Sequence, residues 1–174
     1  NNIKTLKQFI GNRKLLGVFL THGHYDHFVR VVDLLTEFDC FVYMHKNAYK
    51  KILDNNLSCA TFFGCFKQFV LEETRVVFID EGINIDLEGI KIKVFYHPGH
   101  TNCSLSYKIE NMLFCGDVLF SNSIGRSDLP TGNVVVLNNT LSRIKKMEHN
   151  LTLYPGHDEC FILSDALKHN PYLK

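Results

Sequence analysis

"THGHYDHF", residues 21–28, places His22, His24 and His27 with Asp26 inside a single short stretch. The run before it, "LLGVFL" (15–20), is compact and apolar, and it predicts a buried strand that delivers the histidines at its C-terminal end. The histidine cluster is therefore expected on a loop. After it, "FVRVVDLLTEF" (28–38) has helical spacing and "CFVYM" (40–44) reads as the next strand, so the region predicts a β-loop-α-β unit.

Three later stretches repeat the arrangement of a His or Asp beside glycine at the end of an apolar run: "HPGHT" (97–101), "FCGDVLF" (114–120) and "YPGHD" (154–158). Glycine after a strand permits a tight turn that aims one side chain outward from a fixed backbone. That is how a sheet presents a metal ligand. His22 and His24 are two apart, with Asp26 and His27 following, so one loop can send side chains to two neighbouring points. Imidazoles suit zinc, iron and similar metals, and a carboxylate suits harder ions or bridges two. A single catalytic zinc takes three protein ligands and water. The four motifs offer His22, His24, Asp26, His27, His100, Asp117 and His157, a set that fits two ions better than one. Asp117 follows a long apolar run, where a carboxylate is costly unless paired or metal-bound. By contrast His45, His149 and His169 stand alone on polar or helical ground and read as surface residues.

Around these motifs, apolar residues at Ile3, Leu6, Phe9 and Ile10 predict a short helix stopped at Gly11. Further helices are expected at 46–56, 134–148 and 164–170, and a strand with a turn at 151–156. Residues 57–70 carry Phe62, Phe63, Phe66 and Phe69 without clean periodicity, as a core segment or a pocket wall would. From Arg75 to Phe120 short β-like segments alternate with Gly, Asn and Pro, which predicts a block of sheet.

The 174 residues suit one domain, 1–174, and the 45% hydrophobic and 21% charged content is that of an ordinary globular core. With 19 Lys+Arg against 18 Asp+Glu, the formal net charge of +1 gives no electrostatic case for nucleic acid or an anionic membrane as partner. No stretch is apolar for long enough to span a membrane. The six cysteines form no CxxC pair, and they read as reduced thiols of a cytoplasmic protein. Cys40 and Cys115 fit buried hydrophobes, whereas Cys103 and Cys160 lie beside the motifs. Nothing in the sequence fixes an oligomeric state.

His22-Gly23-His24-Tyr25-Asp26-His27, followed in order by Pro98-Gly99-His100-Thr101, Gly116-Asp117 and Pro155-Gly156-His157, resembles the metallo-β-lactamase-fold hydrolases. "GDVLFSNSIGRSDLPTGN" and the ending "HNPYL" resemble the short glyoxalase II-like branch of that superfamily. The resemblance implies an αββα sandwich with its metals at one edge, here expected without the strand hairpin that opens chains of this family. It implies that His22, His24 and His100 hold one divalent ion, that Asp26, His27 and His157 hold the other, and that Asp117 bridges them. Zinc is the expected metal, with iron and manganese as alternatives. A small-molecule thioester such as a hydroxyacylglutathione would be cleaved by a hydroxide between the ions, with Asp26 orienting it. Tyr25, His97 or Thr101 would steady the ligands. Arg126 in "SIGRSD" matches the family's basic residue that meets a glutathione carboxylate. Two rivals share the fold: a persulfide dioxygenase with one iron on His22, His100 and Asp117, and a metal-binding module without turnover.

Overall fold

The apolar run before the histidines becomes a short strand, β1 (Gly17–Phe19), in a computed structural model that describes residues 3–174. Asn1 and Asn2, at the head of the domain expected over 1–174, lie outside the described residues. Helix α1 (Ile3–Ile10) forms where its spacing predicts. The loop expected for the histidine motif is partly helical: α2 (Tyr25–Phe28) is one turn, entered from an extended His24 and held where the Tyr25 N–H donates to the Ser58 carbonyl at 2.9 Å. The helix expected over 28–38 starts only at α3 (Val31–Glu37), because Arg30 (φ −103°, ψ 0°) leaves the helical region.

Strand β2 (Phe41–Met44) and helix α4 (Lys46–Ile52) follow. The helix stops short of 56, where Asp54 Oδ1 accepts from the N–H groups of Asn56 and Leu57 at 2.9 and 3.1 Å and turns the chain. His45, expected at the surface, is buried. Its Nδ1 accepts from the Asn47 N–H at the start of α4, and its ring stacks on Tyr96 with centroids 5.3 Å apart.

The remaining elements are β3 (Val76–Phe78), β4 (Asn84–Leu87), β5 (Ile90–Tyr96), β6 (Leu105–Ile109), β7 (Met112–Gly116), α5 (Val134–Ile144), β8 (Thr152–Pro155), β9 (Phe161–Ile162) and α6 (Leu163–His169). Strand β9 has no counterpart in the expected elements, and α5 ends before 148. Strands β1, β2 and β3 form one parallel sheet in that order; the other six form a second sheet in chain order, antiparallel except for β7 against β8. The expected block from Arg75 to Phe120 is thus divided. Val76 pairs with Val42 in the first sheet, and a strand's texture does not say which sheet it joins.

Alternation along the strands builds the layers. In β2, Val42 and Met44 are fully buried with Phe28, Val31, Ala48 and Ile52, while Tyr43 faces the other way and stacks on Phe19 at 4.5 Å. Phe19 and Tyr43 meet Ile92, Val94, Leu105 and Tyr107 of the second sheet. Leu113, Cys115 and Leu153 point from that sheet's far face to Leu137, Leu141 and Ile144 of α5 and Leu163 of α6. Three apolar seams between four layers make the αββα sandwich. Two bonds cross its centre beside the histidine motif: the Tyr107 hydroxyl donates to the Leu20 carbonyl, and the Leu105 N–H donates to the Thr21 carbonyl at 2.8 Å. Among the described residues no helix is long and apolar enough to cross a membrane.

Tyr107→Phe removes the hydroxyl donor from the buried Leu20 carbonyl. The expected cost is about 1–3 kcal/mol, read as a lower urea midpoint with an unchanged slope.

Candidate metal centre

Strand ends bring the ligand candidates to one edge of the sandwich. His22 and His24 follow β1, His100 lies between β5 and β6, Asp117 leaves β7 and His157 leaves β8, while Asp26 and His27 ride on the single turn α2. Donor atoms lie within 4.8 Å of one another in three overlapping groups: His22, His24 and His100; His22, His27 and Asp117; and Asp26, His27 and His157. His100 Nε2 is 3.3 Å from His22 Nε2 and 3.0 Å from His24 Nδ1. His157 Nε2 is 3.0 Å from Asp26 Oδ2. Asp117 stands between the groups, with Oδ1 3.4 Å from His27 Nε2 and Oδ2 3.8 Å from His100 Nε2 and 3.6 Å from His157 Nε2.

Protonation follows from these surroundings. Burial, reinforced by neighbouring imidazoles and Lys51, pulls His22 well below the usual histidine range and His24 down to about 3. Burial lowers His100 as well. These three rings are neutral at pH 7. The His100 Nδ1–H donates to the Arg126 carbonyl at 2.7 Å, which leaves Nε2 as a bare lone pair aimed at the cluster. Burial also opposes charge on His27, but the Asp117 carboxylate, with Oδ1 3.4 Å from its Nε2, and the charge of Asp26 outweigh it, and its pKa rises. Asp117 resists its own burial in the same way: the imidazole of His27 beside it, with His100 and His157, holds its carboxyl below the usual range. His24 Nε2, His27 Nε2 and Asp117 Oδ1 are buried with no hydrogen-bond partner. An orphaned imidazole nitrogen and an orphaned carboxylate oxygen 3.4 Å apart, those of His27 and Asp117, are what a divalent cation satisfies.

Two glycines set the spacing. Gly99 adopts φ +129°, and a Cβ there would lie 2.3 Å from the Leu137 Cα, so the turn before His100 packs directly on α5. At Gly156 a Cβ would fall 2.2 Å from Asp117 Oδ1 and 2.5 Å from His27 Cε1. Only a bare backbone lets the His157 turn close on the Asp117 carboxylate.

The contacts that steady the ligands are not those expected. Tyr25 packs on Phe28, Phe63 and Phe69; His97 bonds Ser106 Oγ at 2.8 Å; Thr101 bonds Ser104 Oγ at 2.7 Å. The Thr21 hydroxyl at 3.1 Å from His22 Nδ1, and the Arg126 carbonyl on His100, do that work instead. Cys103 is buried beside Thr101 and Cys160 is exposed.

Beside the cluster lies a cavity of about 440 Å³, lined by His24, Asp26, His100, Asp117 and His157 together with a wall that includes Phe63 and Arg126. The Arg126 guanidinium is held by Asp128 through Nε and Nη2 at 2.8 and 2.7 Å, and its Nη1 takes no part in that pair. Lys51, which the sequence reading passed over, is buried with its ammonium donating to the carbonyls of Leu57 and Pro130 at 2.8 and 3.0 Å. It ties together the two loops that flank the cavity.

Gly156→Ala is expected to lose most bound metal, measured by atomic emission on purified protein, while the far-UV circular dichroism stays that of the parent. His97 supports a second test. Burial foremost, with the Arg143 charge, lowers it to about 3, so the unfolded chain takes up this proton below pH about 6.5 and the folded one does not. Its contribution is complete above that pH and is lost as pH falls toward 3. Urea midpoints at pH 7.5 and 5 are expected to differ less in His97→Gln than in the parent.

The family model for the metallo-β-lactamase superfamily matches residues 4–157. An uncharacterised protein of Aquifex aeolicus is 33% identical over 91% of this chain and 75% of its own. A probable metallo-hydrolase of Methanocaldococcus jannaschii is 32% identical over 80% and 68%, and the hydroxyacylglutathione hydrolase GloC of Haemophilus influenzae 27% identical over 98% and 81%. Among solved structures, the BLEG-1 B3 metallo-β-lactamase superposes with a TM-score of 0.88 at 28% identity, covering 98% of this chain and 82% of that one. TTHA1623, solved in a di-iron-bound form, gives 0.87 at 25% identity, covering 99% and 86%. With its four-layer fold and its cluster of histidines and aspartates, the chain belongs to the metallo-β-lactamase superfamily.

Proposed function

We propose that this chain is a binuclear metallohydrolase of the glyoxalase II-like kind, cleaving a small thioester such as a hydroxyacylglutathione in the cytoplasm. The observation that carries the reading is a set of three overlapping donor groups, with the Asp117 carboxylate within 3.8 Å of His27, His100 and His157 and with donor atoms that no hydrogen bond satisfies. His22, His24 and His100 would hold one divalent ion, Asp26, His27 and His157 the other, and Asp117 would serve both. The imidazole-rich set favours zinc, with iron or manganese as alternatives. When bound, such ions lower the pKa of water from roughly 15.7 to about 7 and polarise a carbonyl.

The chain's own groups supply the rest. Asp26 Oδ2 and the Asp117 carboxylate line the cavity and can accept a proton from water beside the substrate carbonyl. No nucleophilic serine or cysteine is needed. The free Nη1 of Arg126 offers a donor to a substrate carboxylate. A small-molecule-sized cavity whose lining holds Asp26 and Asp117 against the single cation Arg126 supports a small substrate over nucleic acid or a membrane. The hydroxyacylglutathione hydrolase of H. influenzae supports the thioester class. The presence of Asp26, His27 and His157 as a second donor group favours this reading over the single-iron dioxygenase.

The test is thiol release from S-lactoylglutathione by protein loaded separately with zinc, iron or manganese. His24→Ala is expected to lower both metal content and release by at least about a hundredfold in rate, since a ligand is lost. Exposed His149 is the control, and His149→Ala should change neither. Equal behaviour of the two variants would overturn the assignment. Two bound metals without release would leave a hydrolase fold acting on another substrate.

A further inference from the structure

We infer that Phe62 and Phe63 form the acyl-binding wall of the cavity and make the site select thioesters of apolar or aryl acids over those of small hydroxy acids. The inference rests on the thioesterase reading for the type of bond cleaved. It narrows that reading: hydroxyacyl thioesters remain substrates but are the poorer ones, and apolar or aryl acyl groups are the preferred class.

Phe62 and Phe63 are 74% and 58% exposed, yet both line the cavity that opens on the metal cluster, together with Phe120 and Leu129. Large apolar rings left in water at the mouth of a concave site mark a surface that gains by covering them. Their placement is built rather than incidental. They end a short 3₁₀ turn (Ala60–Phe63) bracketed by left-handed residues, Cys59 (φ +62°) and Gly64 (φ +68°). Cys59 holds this conformation although it is not glycine, and it too lines the cavity. Phe63 also packs on Tyr25 at 5.3 Å, and Tyr25 follows the candidate ligand His24 directly. The wall is thus seated on the same segment as the metal centre.

Charge points the same way. The Arg126 guanidinium is already bound by the Asp128 carboxylate, so the cationic rim is half neutralised. The carboxylates of the cavity, Asp26 and Asp117, belong to the metal cluster. What remains for the acyl group is aromatic and aliphatic surface. A volume of about 440 Å³ suits a small molecule, not a folded partner. Phe66, on the same loop and 78% exposed, does not line the cavity.

Calorimetric titration of the zinc-loaded protein with the product acids tests this without relying on turnover. Phenylacetate and hexanoate are expected to bind about tenfold tighter than lactate, from burial of their apolar parts. Phe62→Ala and Phe63→Ala should each bring the ratio down to about threefold or less, and Phe66→Ala should leave it unchanged. Equal affinity for all three acids overturns the proposal, as does a ratio that survives in both wall variants or falls equally in Phe66→Ala. A patch that instead closes on a second copy would show as a concentration-dependent mass in sedimentation, abolished by Phe62→Ala with acid affinities unaltered, and that also overturns it. Release rates from S-phenylacetylglutathione and S-lactoylglutathione separate the two readings: a binding preference without any release refutes the thioesterase and leaves the wall standing.

Discussion

Everything in this molecule is arranged around a set of lone pairs that face each other. The His100 Nδ1–H is committed to the Arg126 carbonyl, so its Nε2 arrives bare at a point where His22 and His24 also present nitrogen. Burial keeps those rings neutral. Neutral nitrogens and an anionic oxygen crowded together repel one another and have been stripped of water, and a cation is the partner that satisfies all of them at once. The same crowding sets the sequence around it. Glycine is required at 156 because any side chain would occupy the space of the Asp117 carboxylate and the His27 ring.

Holding such a cluster demands a rigid frame, and the sandwich supplies it through strands that end together. The Tyr107 hydroxyl and the Leu105 N–H reach across from the second sheet to the backbone of Leu20 and Thr21, immediately before His22. The candidate ligands of one sheet are thereby fixed against those of the other. Seams of aliphatic and aromatic side chains on both sides of each sheet stop the strands from sliding.

Much of this was legible in the residues. Four glycine-flanked His or Asp motifs, each after an apolar run, named the seven residues that the fold gathers, because strand-then-turn chemistry is local and leaves a local trace. Contacts made at a distance left none. Thr21 and the Arg126 backbone touch the ligand rings in place of Tyr25, His97 and Thr101, and a carbonyl's direction is invisible in a residue's identity. His45 looked like a polar residue ahead of a helix, but it caps that helix from a buried position against Tyr96. The strand at Val76 carries the same β-rich texture as its successors while pairing with the other sheet, since sheet membership is decided by the crossover before it.

Lys51 shows how the two walls of the cavity are held together. An ammonium buried in α4 is costly, and its two carbonyl partners, Leu57 and Pro130, belong to opposite flanks of the cavity. One of these segments leads into Cys59, Phe62 and Phe63, and the other follows Arg126 and Leu129. Burial pulls this lysine's pKa down, against the nearby Asp54 carboxylate among others, and its direct partners are the two carbonyl dipoles. The loops that line the cavity are therefore tied to each other through the helix layer, in addition to their contacts with the cluster through Phe63 on Tyr25 and the Arg126 carbonyl on His100. The exposed ring of Phe62 and the side chains of Phe120 and Leu129 line the cavity, whereas it is the backbone of Arg126 that reaches His100, so cavity lining and support of the cluster are divided between side chain and main chain within the same loops.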